Sequence, residues 1–212
     1  MPSILLSPHP EPGAQAVIWE LIRGSGLLAY VALTFSTILG IAITVRAFDS
    51  ITKRAYVYEG HQSVSIAALV LTGVHMIALL FDKFVGFSVA AVLVPFASGW
   101  RPWAVVLGIG AFYIMLIVTL TSYIRPQIGQ KAWRAIHYSS FAAWGFAVVH
   151  GLTAGSDTGE VWVQYLYLVT AALVILITTF RFLAPRGRQA GRLPAPESAS
   201  FRQPISAGDD RL

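Results

Sequence analysis

Five apolar runs, each near bilayer length and almost empty of charge, decide most of what this chain can become. They occupy 24–45, 61–81, 103–123, 135–152 and 161–182, and contain no Asp, Glu, Lys or Arg apart from Arg181 at the last boundary. A helix needs about 20 apolar residues to cross the hydrocarbon core of a bilayer. In lipid a lone segment satisfies its backbone groups only as a helix. A shorter run, 86–96, ends at Pro95-Phe96 and is too short to cross, so it is expected at the interface or as a re-entrant piece. The expected fold class is an all-α integral membrane protein, a five-helix transmembrane bundle. Composition agrees: 56% of residues are hydrophobic and 12% charged, where a soluble domain carries about a quarter charged.

The basic residues then orient the bundle. Arg23 precedes the first run; Arg46, Lys53 and Arg54 fill the first loop, Lys83 and Arg101 the second, Arg125, Lys131 and Arg134 the third. The fourth loop has none, and six follow from Arg181 onward. Placing the C-terminus in the cytoplasm puts twelve of the fifteen inside, as the positive-inside rule requires. The expected layout is an extracytoplasmic segment 1–23, a membrane domain 24–183 and a disordered, basic cytoplasmic tail 184–212, with membrane lipid as the surrounding partner. The expected location is the cell (inner) membrane. Topology accounts for the net charge of +5, so no nucleic-acid partner is expected. The absence of cysteine excludes disulfides, iron–sulfur clusters and thiolate or thioether haem attachment.

Four of the five histidines lie at the ends of two of these runs: His61 and His75 in the second, His137 and His150 in the fourth. His9, between two prolines, reads as a solvated loop residue. A buried imidazole needs a partner for each ring nitrogen. In the expected topology the second and fourth spans both run from inside to outside. His61 and His137 then share the inner level, and His75 and His150 the outer. Spacings of 14 and 13 residues give rises of about 21 and 20 Å, so the levels match. One imidazole from each of two parallel helices, at two depths, is what two six-coordinate b-type haems require. The angles match less well: at 100° per residue, 14 steps return to within about 40° of one face, and 13 miss it by about 140°. Either the fourth span is irregular, with Gly145 and Gly151 as candidate points of distortion, or its histidines approach from different sides. The bland alternative is four bundle histidines bonded to backbone or hydroxyls. A non-haem metal pair lacks carboxylates within the spans.

The histidine pattern, together with WELIRGSG at 19–26, GQKAWRAIHYSSF and VVHGLTAGSDTG, resembles the ferric reductase-like transmembrane domain shared by ferric reductases and NADPH oxidases. The resemblance covers about 19–183. It implies electron transfer from cytoplasm to outside through two haem b groups, the inner held by His61 and His137, the outer by His75 and His150. Those enzymes continue into a flavin and nicotinamide module. This chain has no G-x-G-x-x-G and no βαβ pattern, so the expected donor is a separate cytoplasmic flavoprotein or a membrane quinol, and the acceptor lies outside the membrane. The expectation is an oxidoreductase component like the stand-alone bacterial members, such as the membrane haem subunit that feeds a periplasmic methionine sulfoxide reductase.

Haem propionates favour basic partners near the interface. Arg23 at the outer end and Arg134 at the inner end are the best placed, ahead of Ser25, Arg101, Lys53, Arg54 and Lys131. Trp144, between the two histidines of the fourth span, is expected mainly to fill the bundle. Two other readings stay open: a quinol-linked cytochrome b subunit, and a histidine-lined proton or metal-ion permease.

Overall fold

The computed structural model describes residues 13–183; His9, most of the N-terminal segment and the tail 184–212 lie outside that range. Within it every regular element is helical. Helix α1 spans Ala14–Val45, α2 Arg54–Leu79, α3 Val89–Leu93, α4 Pro102–Tyr123, α5 Arg125–Ile128, α6 Gln130–Tyr138, α7 Ser140–Ala154 and α8 Val161–Leu183, with a 3₁₀ turn at Ser156–Gly159. Four of these, α1, α2, α4 and α8, are long and apolar enough to cross a membrane. Residue Arg46 closes α1 in the left-handed conformation. Pro102 opens α4 at the position where its missing N–H costs nothing.

Two expectations need revision. Helix α1 begins at Ala14, so the last ten residues of the expected extracytoplasmic segment 1–23 belong to the same helix as the first apolar run. The fourth run is not one helix. It is α6 and α7, meeting at Ser139, whose N–H turns back to Ile136 O at 3.0 Å while its hydroxyl donates to the same carbonyl at 2.6 Å. A 3₁₀-type bond and a hydroxyl on one carbonyl break the α-helical ladder. The run 86–96 contributes only the five-residue α3.

Packing is inverted relative to a soluble bundle. Many buried positions are small, among them Ala68 and Ala143 at 0% exposure, whereas Leu28, Phe35, Val70, Ile117 and Leu176 point outward. Small residues inside let helix backbones approach closely, as lipid-embedded helices require. Helix α1 packs mainly on α2 and α4 mainly on α7, and contact between α1 and α7 joins the halves. Leu33, Ala68, Met115 and Ala143 meet at the centre, with Trp144 against them. The Trp144 indole donates to Thr34 Oγ1 at 3.1 Å, consistent with its expected packing role. Helix α8 joins through Tyr167, whose ring lies 4.5 Å from that of Tyr30, and through Thr170, bonded to the Tyr30 hydroxyl at 2.5 Å. That hydroxyl-bearing ring of Tyr167 also fills the space over Gly151, where a Cβ would lie 2.0 Å from it.

Candidate functional site

The fold brings the four histidines together in two facing pairs. The His61 and His137 rings have centroids 6.1 Å apart and planes at 73°. For His75 and His150 the values are 6.4 Å and 81°. His61 precedes His75 and His137 precedes His150, so these pairings require α2 and α6–α7 to run parallel. The expected alignment of levels therefore holds. Of the two explanations offered for the 13-residue spacing, an irregular span is found, with its break at Ser139, two residues beyond His137, rather than at Gly145 or Gly151. Two imidazoles bound on opposite sides of one metal, with bonds of about 2.0 Å, would have ring centres about 6.3 Å apart. Both pairs are within a few tenths of an ångström of that.

The outer Nδ1 atoms are tied to backbone. His75 Nδ1 lies 2.9 Å from Ile22 O, and His150 Nδ1 2.8 Å from Ala104 O. His61 Nδ1 lies 3.0 Å from Ser36 O and 3.2 Å from its hydroxyl. A carbonyl only accepts, so Nδ1 carries the proton in each, and Nε2 presents a bare lone pair. This is the arrangement that orients a metal-binding histidine. Among the described residues no Nε2 of the four has a hydrogen-bond partner.

Glycine makes these bonds possible, and sequence reasoning missed it. A helical carbonyl is covered by the side chain four residues on, and here that residue is glycine each time: Gly26 after Ile22, Gly40 after Ser36, Gly108 after Ala104. A Cβ on Gly26 would lie 2.9 Å from His75 Nδ1, one on Gly40 3.3 Å from His61 Cε1, and one on Gly108 2.8 Å from His150 Cε1. Each glycine is a notch that admits an imidazole to the carbonyl. The signal was readable: Gly26 and Gly40 on α1 are 14 apart, the same spacing as His61 and His75 on the antiparallel α2.

The outer pair borders a cavity of about 430 Å³ that also touches Trp19, Arg23 and Tyr167. The size falls within the usual range for cofactor sites. The Trp19 indole N–H is buried there without a partner. Arg23 is held at the rim by Asp157 Oδ2 at 2.8 Å and Glu20 Oε1 at 3.2 Å. Ser25 instead bonds backwards to Leu21 O and Ile22 O, and Arg101 donates to Thr153 O. At the other end Arg134 is exposed on α6, one turn before His137, with no hydrogen bond or ion pair among the described residues. Arg54 donates to Ile43 O at 3.3 Å. No cluster of three or more His, Cys, Asp or Glu side chains occurs among the described residues, so any metal held by these pairs has two protein ligands and takes the rest from elsewhere.

The fold and site define an all-α protein with membrane-length helices and two facing imidazole pairs along one bundle, the outer pair bordering a cavity. The chain belongs to the family described as Domain of unknown function (DUF8596), whose model matches residues 17–157. The match takes in all four histidines and the three glycine notches, and stops before α8. No curated protein and no solved structure matches the chain.

Proposed function

We propose that this protein is a bis-haem b electron-transfer subunit of the cell membrane, of the ferric reductase-like kind. In this reading the fourth span, α6–α7, crosses with the other four as a fifth helix. One observation carries the reading: two histidine pairs, in parallel order, separated as two ligands of one metal would be, with three Nδ1 atoms committed to carbonyls. Haem at each level would supply a one-electron carrier. His61 and His137 would bind the inner group, and His75 and His150 the outer. Ile22, Ser36 and Ala104 hold the rings in the tautomer that binds metal. The Leu33–Met115–Trp144 layer keeps water out of the roughly 20 Å between levels, a distance that takes electrons across most of a hydrocarbon core about 30 Å thick. At the outer end Trp19 N–H and Arg23 can meet anionic propionates, with Asp157 keeping Arg23 in place. Arg134 is free to do so at the inner end. In this reading electrons come from a flavoprotein or a quinol on the cytoplasmic side and leave to an acceptor outside.

The test is a dithionite-reduced minus oxidised visible spectrum of purified protein expressed with haem supplied. Two b-type haems per chain are expected, falling to about one in His75→Ala or His150→Ala. Folded protein with no haem would end the reading and bring forward a histidine-lined permease.

A further inference from the structure

Three of the four imidazoles are fixed through Nδ1 and one is not. The Nδ1 of His137 is buried and has no partner. The reason lies on α4. That helix runs antiparallel to α6–α7, since its start meets His150 and its end meets Trp133. Moving from the Ala104–Gly108 notch by the 13 to 14 residues that separate the two levels leads to Val118 and Ser122. Here the notch is closed. Residue 122 is serine, its hydroxyl donates to Val118 O at 2.7 Å, and Thr121 Oγ1 donates to the same oxygen at 3.2 Å. Ser122 also accepts from the Trp133 indole at 3.1 Å. Trp133 lies along the His137 ring, with centroids 4.8 Å apart and planes at 26°, and its other contact is the Arg125 guanidinium at 4.3 Å. So His137 is held by a stacked indole instead of a hydrogen bond. It also sits on the nine-residue α6, next to the break at Ser139.

A ring lacking the Nδ1–H···O=C bond is a weaker base at Nε2, and stacking fixes its plane without fixing where its nitrogens point within that plane. Loss of such a partner commonly weakens a histidine–metal bond about 10- to 100-fold. We propose that His137 is the displaceable ligand of the inner pair: the ferrous inner haem exchanges it for a small neutral ligand such as carbon monoxide, and the outer haem does not. The exchange breaks the bond to His137 Nε2 and forms one to the incoming carbon; no electron is transferred. The inference rests on the haem reading above.

Carbon monoxide titration of the dithionite-reduced full chain tests it, with haem first counted per chain. The expected result is one carbon monoxide bound per two haems. His150→Ala, having lost the outer haem, should still bind one. Ser122→Gly, which opens the fourth notch, should lower carbon monoxide affinity about 10-fold or more. Ser122→Ala also frees Trp133 but leaves a Cβ over the carbonyl, and should not lower it. With two haems present, no binding, binding to both, or binding lost in His150→Ala would overturn the assignment. Absence of haem would instead defeat the reading on which it rests.

Discussion

On the haem reading proposed above, substituting Gly108→Ala separates cofactor binding from protein stability. The added Cβ would lie 2.8 Å from both Cε1 and Nδ1 of His150 and 3.1 Å from Nε2. Carbon contacts are comfortable at about 3.5–4.0 Å, so the ring must retreat by about 0.7 Å. The bond from His150 Nδ1 to Ala104 O, now 2.8 Å, would open to about 3.5 Å, beyond hydrogen-bonding range. The lost bond costs about 0.5–1.5 kcal/mol. The misdirected ligand costs about 10- to 100-fold in affinity for the outer group, or roughly 1.4–2.7 kcal/mol. Against this, alanine is favoured over glycine inside a helix by about 0.5–1 kcal/mol. The two effects act on different quantities. The lost hydrogen bond and the gained helix propensity nearly offset, so the haem-free variant should unfold at about the wild-type temperature or slightly below. The holoprotein should retain the inner haem and lose the outer one at haem concentrations that saturate wild type. Gly145→Ala gains the same helix propensity, but its new Cβ meets nothing within 4 Å, so it should keep both haems. Visible spectroscopy with haem quantification, alongside a thermal melt, reads all of this. Two haems with wild-type affinity in Gly108→Ala would refute the notch reasoning.

The notch distances also rank the two glycines on α1. Gly26→Ala, at 2.9 Å from His75 Nδ1, should weaken the outer haem more than Gly40→Ala, at 3.3 Å from His61 Cε1, weakens the inner; haem retention during dilution compares them. Near-perpendicular imidazoles leave the two iron orbitals that bond to them nearly degenerate. The 73° and 81° angles therefore predict strongly anisotropic low-spin EPR signals from both ferric haems, and ordinary rhombic signals would show that the rings turn on binding.

Four of the five apolar runs were legible as membrane-length helices because apolar length alone dictates them. The pairing of His61 with His137 and His75 with His150 was legible because 14 and 13 residues rise almost equally. The break at Ser139 was not. A serine in an apolar helix ordinarily bonds backward without interrupting it, and glycine was the more natural suspect. Arg23 stands at the expected end of α1, but its ion pair with Asp157, 134 residues away, depends on how α7 and the turn after it return to α1. The notches were hidden for a different reason: glycine in a membrane helix has many uses, and its meaning here emerges only when α1 is laid beside α2.

Each level draws one histidine from the α1–α2 hairpin and one from the α4–α7 hairpin, and the outer cavity opens between them. Between the levels the hairpins meet directly, through Leu33, Ala68, Met115 and Ala143; at the levels they face each other across the histidine pairs. On the haem reading, such a chain can finish inserting as two prefabricated halves, with the cofactor added last as the bolt that tightens them. Cofactor supply would then govern, on the same reading, how firmly the halves close as well as activity, and a starved cell would hold a folded bundle that stays loose at the two histidine levels.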